Sequence, residues 1–163
     1  MLFLSSYLFK NGLHGDDAHI NPLWVFEGLQ WEVSGKRPEG CPYSVWQILN
    51  HMIFWQDFIL GYLKGANTNF PEHADDSWPG GKAPSTEIEW EDAVFKFSEG
   101  LKKAENEAKM NLEERGFGKW KSEGNRGDFL VMLVNHNSYH AGQVVLIRRI
   151  MGEWPPPSGG YTW

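Results

Sequence analysis

Apolar residues recur at steps of three and four along four stretches of the chain, and segments rich in glycine and proline separate these stretches. A step of three or four residues returns to the same side of an α-helix, so each stretch predicts a helix with one buried face. The predicted helices cover about residues 22–34, 43–64, 85–115 and 128–151. We find no strand pattern and no internal repeat. Four helices of these lengths predict an all-α fold, a four-helix bundle with long irregular connections.

Residues that favour helix starts stand where the predicted helices begin. Pro22 falls at a first helical position, and Asp128 is a good N-cap for the fourth helix. Ser85 or Thr86 can cap the third helix, and Glu89 has the spacing of a capping box with Thr86. Local signals therefore agree with the periodicity about where the helices begin.

Two segments lack any hydrophobic period. Residues 65–85 form a long irregular connection, which is either a functional loop, such as a lid, or only surface. Residues 152–163 are rich in proline and glycine and predict an extended tail. We therefore expect a single domain over residues 1–163, with its helical core at about 19–151 and the tail at 152–163.

Composition and charge narrow the classes of function. A chain of 163 residues has the length of one domain. The net charge is −6 without a dense cluster of Lys and Arg, so we expect no nucleic-acid partner and no anionic membrane surface. The single cysteine, Cys41, excludes an intramolecular disulfide and fits a reducing compartment. The start, MLFLSSYLFK, lacks a signal-peptide pattern, and no apolar run approaches the ~18 residues of a membrane span. We expect a soluble cytoplasmic protein.

The buried stripe of the fourth predicted helix is apolar at both ends and polar in its middle turns. One side of the helical wheel carries Phe129, Met132, Leu133, His136, His140, Gln143, Ile147 and Ile150. Burying an unpaired polar group costs about 1–3 kcal/mol in proteins, so the imidazoles need partners. They either form hydrogen bonds within the core or bind a cation. His136 and His140 lie one turn apart, a spacing that lets two imidazoles bind one metal ion.

A third histidine interrupts the buried stripe of the second predicted helix. This stripe consists of Ile48, His51, Trp55, Phe58 and Tyr62. In a bundle both stripes face the same interior, so His51, His136 and His140 can converge. Three histidines with an open fourth position are the ligand set of a catalytic zinc-type site, whereas a structural site has four protein ligands. The aromatic members of the stripe form either a wall beside the metal or plain core.

The sequence gives less reason to place four other polar residues in the metal site. His14 and His19 precede the first predicted helix and His73 lies in the long loop, so we expect all three to be solvated rather than ligands. Gln143 follows His140 by one turn on the same face. It either orients a metal ligand or a substrate, or is a buried amide bonded to a neighbouring helix.

Two segments together resemble the DinB/YfiT-like superfamily: RPEGCPYSVWQILNHMIFWQDFI, with His51, and LVNHNSYHAGQVVLIRR, with His136 and His140. The resemblance covers residues 19–151. It implies a four-helix bundle whose metal is held by one histidine on the second helix and an H-x-x-x-H pair on the last, here His51, His136 and His140. The sequence HAGQ, which begins at His140, matches the H-x-G-Q of the superfamily.

The resemblance and the ligand set together suggest a cofactor and a reaction. We expect one divalent metal per chain, zinc or nickel first, with iron, manganese or copper as alternatives, since imidazole suits several of them. The resemblance implies a metal-dependent thiol S-transferase that uses a low-molecular-weight thiol. The alternatives are a metal-dependent hydrolase of a small ester or amide, and a non-catalytic metal-binding stress-response module. Asn137 replaces the glutamate of an H-E-x-x-H helix, so we expect no proteolysis.

Apolar residues on the sides of two helices away from the histidines predict a homodimer. The fourth helix carries Val131, Val134, Ala141 and Val145 there, and the second carries Trp46, Leu49, Ile53 and Leu60. Each helix of a four-helix bundle has two close neighbours, so part of this surface is expected to remain uncovered and to form a contact between copies. The resemblance agrees, since members of the superfamily are frequently dimers.

Overall fold

The computed structural model of the chain describes residues 2–15, 18–66, 69–78, 81–117 and 124–160. Its regular elements are α1 Leu2–His14, α2 Trp31–Ser34, α3 Val45–Leu63, α4 Glu87–Glu107 and α5 Arg126–Met151, with 3-10 turns at Trp24–Phe26 and Ala74–Ser77. The four long helices form a ring in which α3 contacts α4 and α5, and α1 contacts the same two helices from the other side. The prediction of an all-α bundle is confirmed.

The first helix of the bundle is not where the sequence pattern predicted it. Residues 22–34 form a 3-10 turn, an extended residue at Glu27 and the four-residue helix α2, whereas the long helix is α1 near the N-terminus. Gly28 has a φ of 68°, and a Cβ there would lie 2.7 Å from Pro157, so this position suits glycine and not a continuing helix. The apolar residues Val25 and Phe26 enter the core from this irregular segment, which explains the misleading period.

Helix α3 begins and ends as the sequence predicted. Ser44 is its N-cap, and a capping box joins the Ser44 hydroxyl to the N–H of Gln47 and the Gln47 side chain to the N–H of Ser44. Gly65 follows the last turn with a φ of 74°. Both ends of the helix that carries His51 are therefore fixed by local contacts.

Helix α4 begins as predicted but ends earlier. Thr86 caps it through the N–H of Glu89, although the Glu89 carboxylate accepts from the N–H of Ser85 rather than closing a capping box with Thr86. The helix ends at Glu107 instead of about residue 115. The carbonyl oxygens of residues 112 and 114 accept hydrogen bonds from the N–H groups of residues 127 and 126, so the chain after α4 pairs with the start of α5 instead of continuing the helix.

Helix α5 starts two residues before the predicted position. The prediction of Asp128 as N-cap is wrong, because Asn125 is the N-cap and Asp128 is the third helical residue, which completes the capping box. Gly152, in the left-handed conformation with a φ of 76°, ends the helix after Met151. This helix of 26 residues carries two of the three candidate ligands.

The tail after α5 is non-helical over its described part, residues 152–160, whereas residues 161–163 lie outside the described residues. It packs on the irregular segment before α2. Pro157 lies against Gly28, and the N–H of Ser158 donates to the carboxylate of Glu27. Among the described helices, none has the length and apolar character needed to cross a membrane.

The surfaces that the sequence assigned to a dimer contact are mostly covered within one chain. The side chains of Trp46, Leu49, Ile53, Leu60 and Ala141 are buried, with exposed fractions of 5% or less. Val134 and Val145 are half-buried, and Val131 is exposed. The uncovered remainder is therefore small and includes Val131, because α1 and the irregular N-terminal segment add neighbours that the predicted bundle lacked. Association of two copies stays a prediction.

Candidate metal centre

The three candidate histidines lie together between α3 and α5. Their ring centroids are 5.1 Å apart for His51 and His136, 4.7 Å for His51 and His140, and 4.4 Å for His136 and His140. One ligand nitrogen from each ring can be chosen so that all three lie within 4.8 Å of one another. The structure thus brings together, from two helices, the residues that the sequence analysis selected.

Hydrogen bonds fix which nitrogen of two rings faces the centre. The Nδ1–H of His51 donates to the main-chain carbonyl oxygen of Ser77 at 2.7 Å, and the Nδ1–H of His140 donates to the side-chain oxygen of Gln143 at 2.7 Å. An oxygen of this kind only accepts, so each neutral ring carries its proton on Nδ1 and leaves the Nε2 lone pair free. Two of the three rings are held in the tautomer that a metal requires.

The spacing of the nitrogens fits a divalent metal. The Nε2 atoms of His51 and His136 are 3.2 Å apart. Two nitrogens bound to a tetrahedral zinc ion at about 2.0–2.1 Å lie about 3.3 Å from each other. Without a metal, at most one hydrogen bond can join these two Nε2 atoms, and it requires a proton on the Nε2 of His136. The donor set and its spacing therefore suit a metal ion better than a hydrogen-bonded cluster.

Burial keeps the rings neutral. Desolvation, reinforced by the neighbouring imidazoles, lowers the pKa of His136 to about 3. Burial lowers the pKa of His140 to about 4 although the bond to Gln143 opposes the shift. The pKa of His51 is also lowered by burial, against the hydrogen bond to Ser77. At neutral pH the three lone pairs are thus available to a cation without loss of a proton.

Several aromatic rings lie against the histidine cluster. Trp78 stacks on His51 with centroids 3.8 Å apart, and Tyr43 stacks on the other face of Trp78 at 3.6 Å. Trp55 lies 6.5 Å from His51 and 6.3 Å from His136. Phe70 stands 5.6 Å from Trp55. These rings give the cluster an apolar, partly dry environment.

The predicted aromatic stripe of α3 is divided between the site and the core. Trp55 borders the histidines, and Phe58 packs on Trp55 at 5.4 Å. Tyr62 packs on Phe129 at 5.0 Å and belongs to the hydrophobic core. Its place in a wall beside the metal is therefore not supported.

Sequence reasoning missed three contributors to the site, Tyr43, Ser77 and Trp78. Ser77 and Trp78 lie in the connection between α3 and α4, where no period indicates which residue faces which helix. The only available signal was the presence of a tryptophan in a polar loop. A backbone carbonyl, as used by Ser77, leaves no sequence signal at all.

The remaining histidines lie away from the cluster. His14 pairs with Glu105 on α4 and accepts a hydrogen bond from Asn21, so it is a half-buried structural contact rather than a solvated side chain. His19 bonds to the carbonyl oxygen of Ile20. Among the histidines, cysteines and carboxylates of the described residues, one group lies close enough together to hold a metal, which is His51, His136 and His140.

The sequence profile of the DinB superfamily matches residues 21–144, which is more than half of the chain and includes all three histidines of the cluster. The chain belongs to the DinB superfamily. No curated protein matches it. Membership agrees with a helical metal-binding fold, and the histidine cluster lies in the part of the chain that the profile covers.

Within this DinB superfamily chain, Asn137 lies beside His136 but not in the centre. Its side chain is 0% exposed and packs in the interior of the bundle. An amide has no basic lone pair for proton transfer, and this one has no access to solvent. The site thus lacks the general base of an H-E-x-x-H peptidase at this position.

Proposed function

We propose that this protein binds one divalent metal through His51, His136 and His140 and is a metal-dependent enzyme that transfers a low-molecular-weight thiol to a small electrophile. The observation that supports the proposal is the convergence of three buried neutral imidazoles, two of which are held by Nδ1 hydrogen bonds so that Nε2 faces the centre. Three protein ligands leave a position for a small molecule.

The protein's own residues prepare this site in three ways. Ser77 and Gln143 hold two rings in the ligating tautomer. Burial keeps the imidazoles uncharged, as the lowered pKa values of His136 and His140 indicate. Trp55 and Trp78 limit the water around the centre. A divalent metal, when bound, supplies a Lewis acid that lowers the pKa of a coordinated thiol or water.

The proposed thiol transfer is a substitution reaction in which no atom is oxidised or reduced, so it needs no redox partner. The thiol loses its proton to solvent, its sulfur attacks a carbon of the electrophile, a C–S bond forms, and the leaving group departs with the electron pair of the broken bond. Ester or amide hydrolysis by water is the alternative at the same centre. A protein that binds the metal and turns nothing over is the second alternative.

Metal analysis of the purified protein tests the ligand set. We expect one zinc or nickel ion per chain in the wild type and loss of the ion in His136→Ala and His140→Ala after dialysis, because two imidazoles hold a divalent ion poorly. His19→Ala, which removes a histidine outside the cluster, is the matched control and keeps the metal. Stoichiometric metal in both cluster variants would place the site elsewhere.

Activity is tested after the ligand set. The wild type is assayed for thiol transfer to small electrophiles, for hydrolysis of small esters and for peptide cleavage, each with and without a chelator. We expect chelator-sensitive thiol transfer that returns when the metal is restored. Chelator-sensitive ester hydrolysis alone would select the hydrolase, and no turnover by a metal-loaded protein would select the binding module. Robust peptide cleavage would overturn the expected absence of proteolysis.

We also propose that two copies associate through an exposed stripe along α5. Met132, Tyr139 and Leu146 follow one another at intervals of seven residues and are 39%, 66% and 59% exposed. A heptad stripe of this kind packs against another helix. Asp128 and Arg149 stand at the two ends of the stripe, both exposed and of opposite charge. An antiparallel second copy brings the acidic end of one helix towards the basic end of the other, which a two-fold axis permits.

Light scattering at micromolar concentration tests this association. We expect twice the chain mass of 18.7 kDa for the wild type and a mass near 18.7 kDa for Leu146→Glu, which places a charge at one end of the stripe. Ile88→Glu changes an exposed apolar residue on α4 and is the control that stays dimeric. A wild-type mass near 18.7 kDa across the dilution range would reject the dimer.

A further inference from the structure

The connection between α3 and α4 reaches back over the candidate metal centre. Its 3-10 turn, Ala74–Ser77, ends with the carbonyl oxygen that accepts from the Nδ1–H of His51, and the next residue, Trp78, lies flat on the same imidazole. Two consecutive residues outside the four long helices therefore contact one ligand. No other histidine of the cluster has ring stacking of this kind within the described residues.

Trp78 is held between two rings. The planes of Trp78 and His51 are 7° from parallel, and those of Trp78 and Tyr43 are 8° from parallel. The edge of His140 also meets Trp78, with centroids 6.0 Å apart and planes at 82°. The indole thus lies parallel to the ring of His51 and nearly perpendicular to the ring of His140, and Tyr43 also stacks on it.

Hydrogen bonds lie on both sides of Trp78 along the chain. Before it, the Ser77 hydroxyl donates to the carbonyl oxygen of Ala74. After it, the carbonyl oxygen of Lys82 accepts from the hydroxyl of Ser44, the N-cap of α3. Tyr43 and Ser44 are neighbours in the chain, so the start of α3 holds the stack and the loop together. The indole is therefore in contact with α3 through His51 and with the residue before its N-cap through Tyr43.

Ring orientation matters because an imidazole turns about the bond that joins it to Cβ. That torsion has a broad energy minimum, so the helix alone does not fix the plane of the ring. The hydrogen bond to Ser77 restrains one edge of His51, and the stack on Trp78 restrains its face. Together these contacts direct Nε2 towards His136, which lies 3.2 Å away. Loss of such outer contacts typically weakens metal binding about 10–100-fold.

We propose that Trp78 is a positioning residue of the metal centre and that docking of the 69–78 segment is coupled to metal binding through His51. The proposal rests on the proposed three-histidine metal site. Because binding is linked to docking, a bound metal stabilises the segment on α3, and a segment that cannot dock lowers the affinity for the metal by the same factor.

Metal affinity of three variants tests the coupling. Zinc affinity is measured by competition with a chromophoric chelator, and ligand geometry by the visible absorption of the cobalt-substituted protein. We expect Trp78→Leu to weaken zinc binding about tenfold or more and to change the cobalt spectrum. Trp78→Phe keeps a flat ring and is expected to lie between Trp78→Leu and the wild type. Trp24→Leu changes a half-exposed tryptophan outside the site and is the matched control.

A second measurement follows the segment itself. Hydrogen exchange of peptides from residues 69–78 should slow when zinc is added to the wild type, and this protection should be reduced in Trp78→Phe, a conservative variant that keeps the experiment valid if Trp78→Leu does not fold. Wild-type zinc affinity, cobalt spectrum and protection in folded Trp78 variants would overturn the proposal and leave the metal site standing. Failure of the wild type to bind zinc or cobalt would reject the metal site, and the coupling with it.

Discussion

Helix α5 buries polar side chains at two places, and the two places are built differently. At its C-terminal end, Arg148 is 2% exposed, and its N–H groups donate to the main-chain oxygens of Val25, Glu27 and Glu153 at 2.8–2.9 Å. In the middle, His136 and His140 face His51, and His140, with its proton on Nδ1, turns an unprotonated Nε2 towards the centre. The arginine has the partners it needs within the chain, whereas the imidazoles present lone pairs to one another.

This difference separates a structural polar group from a binding site. Buried polar groups are normally hydrogen-bonded, and Arg148 follows that rule by joining the end of α5 to the segment before α2 and to the start of the tail. The three converging imidazoles can share at most one hydrogen bond between the Nε2 atoms of His51 and His136, so they depart from this rule unless a cation binds them. Removal of Arg148 should therefore damage the fold and leave the metal centre, and removal of an imidazole should do the reverse.

The largest expected effect is that of Arg148→Met on stability. The variant keeps a long apolar side chain but leaves buried carbonyl oxygens without donors, and each unsatisfied group costs about 1–3 kcal/mol. We expect the free energy of unfolding, measured in urea, to fall by about 3–5 kcal/mol, while zinc affinity of the folded protein stays at the wild-type value. Arg149→Met changes the exposed neighbour and should shift stability by less than about 0.5 kcal/mol. Equal stability of the two variants would show that the Arg148 contacts contribute little.

The second prediction concerns Gln143, which holds the Nδ1–H of His140. Gln143→Leu removes that acceptor and should weaken zinc binding about 10–100-fold with little change in the stability of the metal-free protein. Gln143→Glu supplies a stronger acceptor and should retain at least wild-type affinity. The exposed Gln30 offers a control as Gln30→Leu. Wild-type affinity in Gln143→Leu would mean that this hydrogen bond does not orient the ligand.

The features that could be predicted from the sequence are those that depend on the helical period of apolar residues. Helices α3 and α5 were both predicted, although Met132 and Ile150 of the predicted buried stripe of α5 are exposed. Residues one turn apart on a helix share a face, so the convergence of His51, His136 and His140 could be predicted from the sequence. Capping residues are local signals, but the N-cap of α5 is Asn125, three residues before the predicted Asp128. Metal binding itself stays a prediction.

The part that could not be predicted depends on contacts between irregular segments. Arg148 pairs with main-chain oxygens of residues 25, 27 and 153, and a main-chain oxygen has no residue type to recognise. The helix α1 lies in a stretch for which the sequence predicted no helix, and the helix expected at 22–34 is broken where Gly28 meets Pro157. The same reasoning explains why Ser77 and Trp78 were missed.

The smallest expected effect is on the stability of the metal-free protein. Replacing His136 should raise the free energy of unfolding, whereas replacing Arg148 should lower it. An imidazole of the unfolded chain takes up a proton near pH 6.5, whereas burial lowers the pKa of His136 to about 3 in the folded protein. The folded protein therefore loses stability as the pH falls below 6.5, because protonation of His136 favours the unfolded chain. This loss in the free energy of unfolding is about 1.4 kcal/mol at pH 5.5.

The variant His136→Leu cannot be protonated, so it lacks this pH-dependent loss, and it also removes a buried polar group. We expect the variant, in urea and chelator, to be about 1 kcal/mol more stable than the wild type at pH 7.5, with a larger margin at pH 5.5. His140→Leu should behave in the same direction, since burial also lowers the pKa of His140. A destabilised His136→Leu at both pH values would mean that the imidazole, like Arg148, is a structural group of the fold.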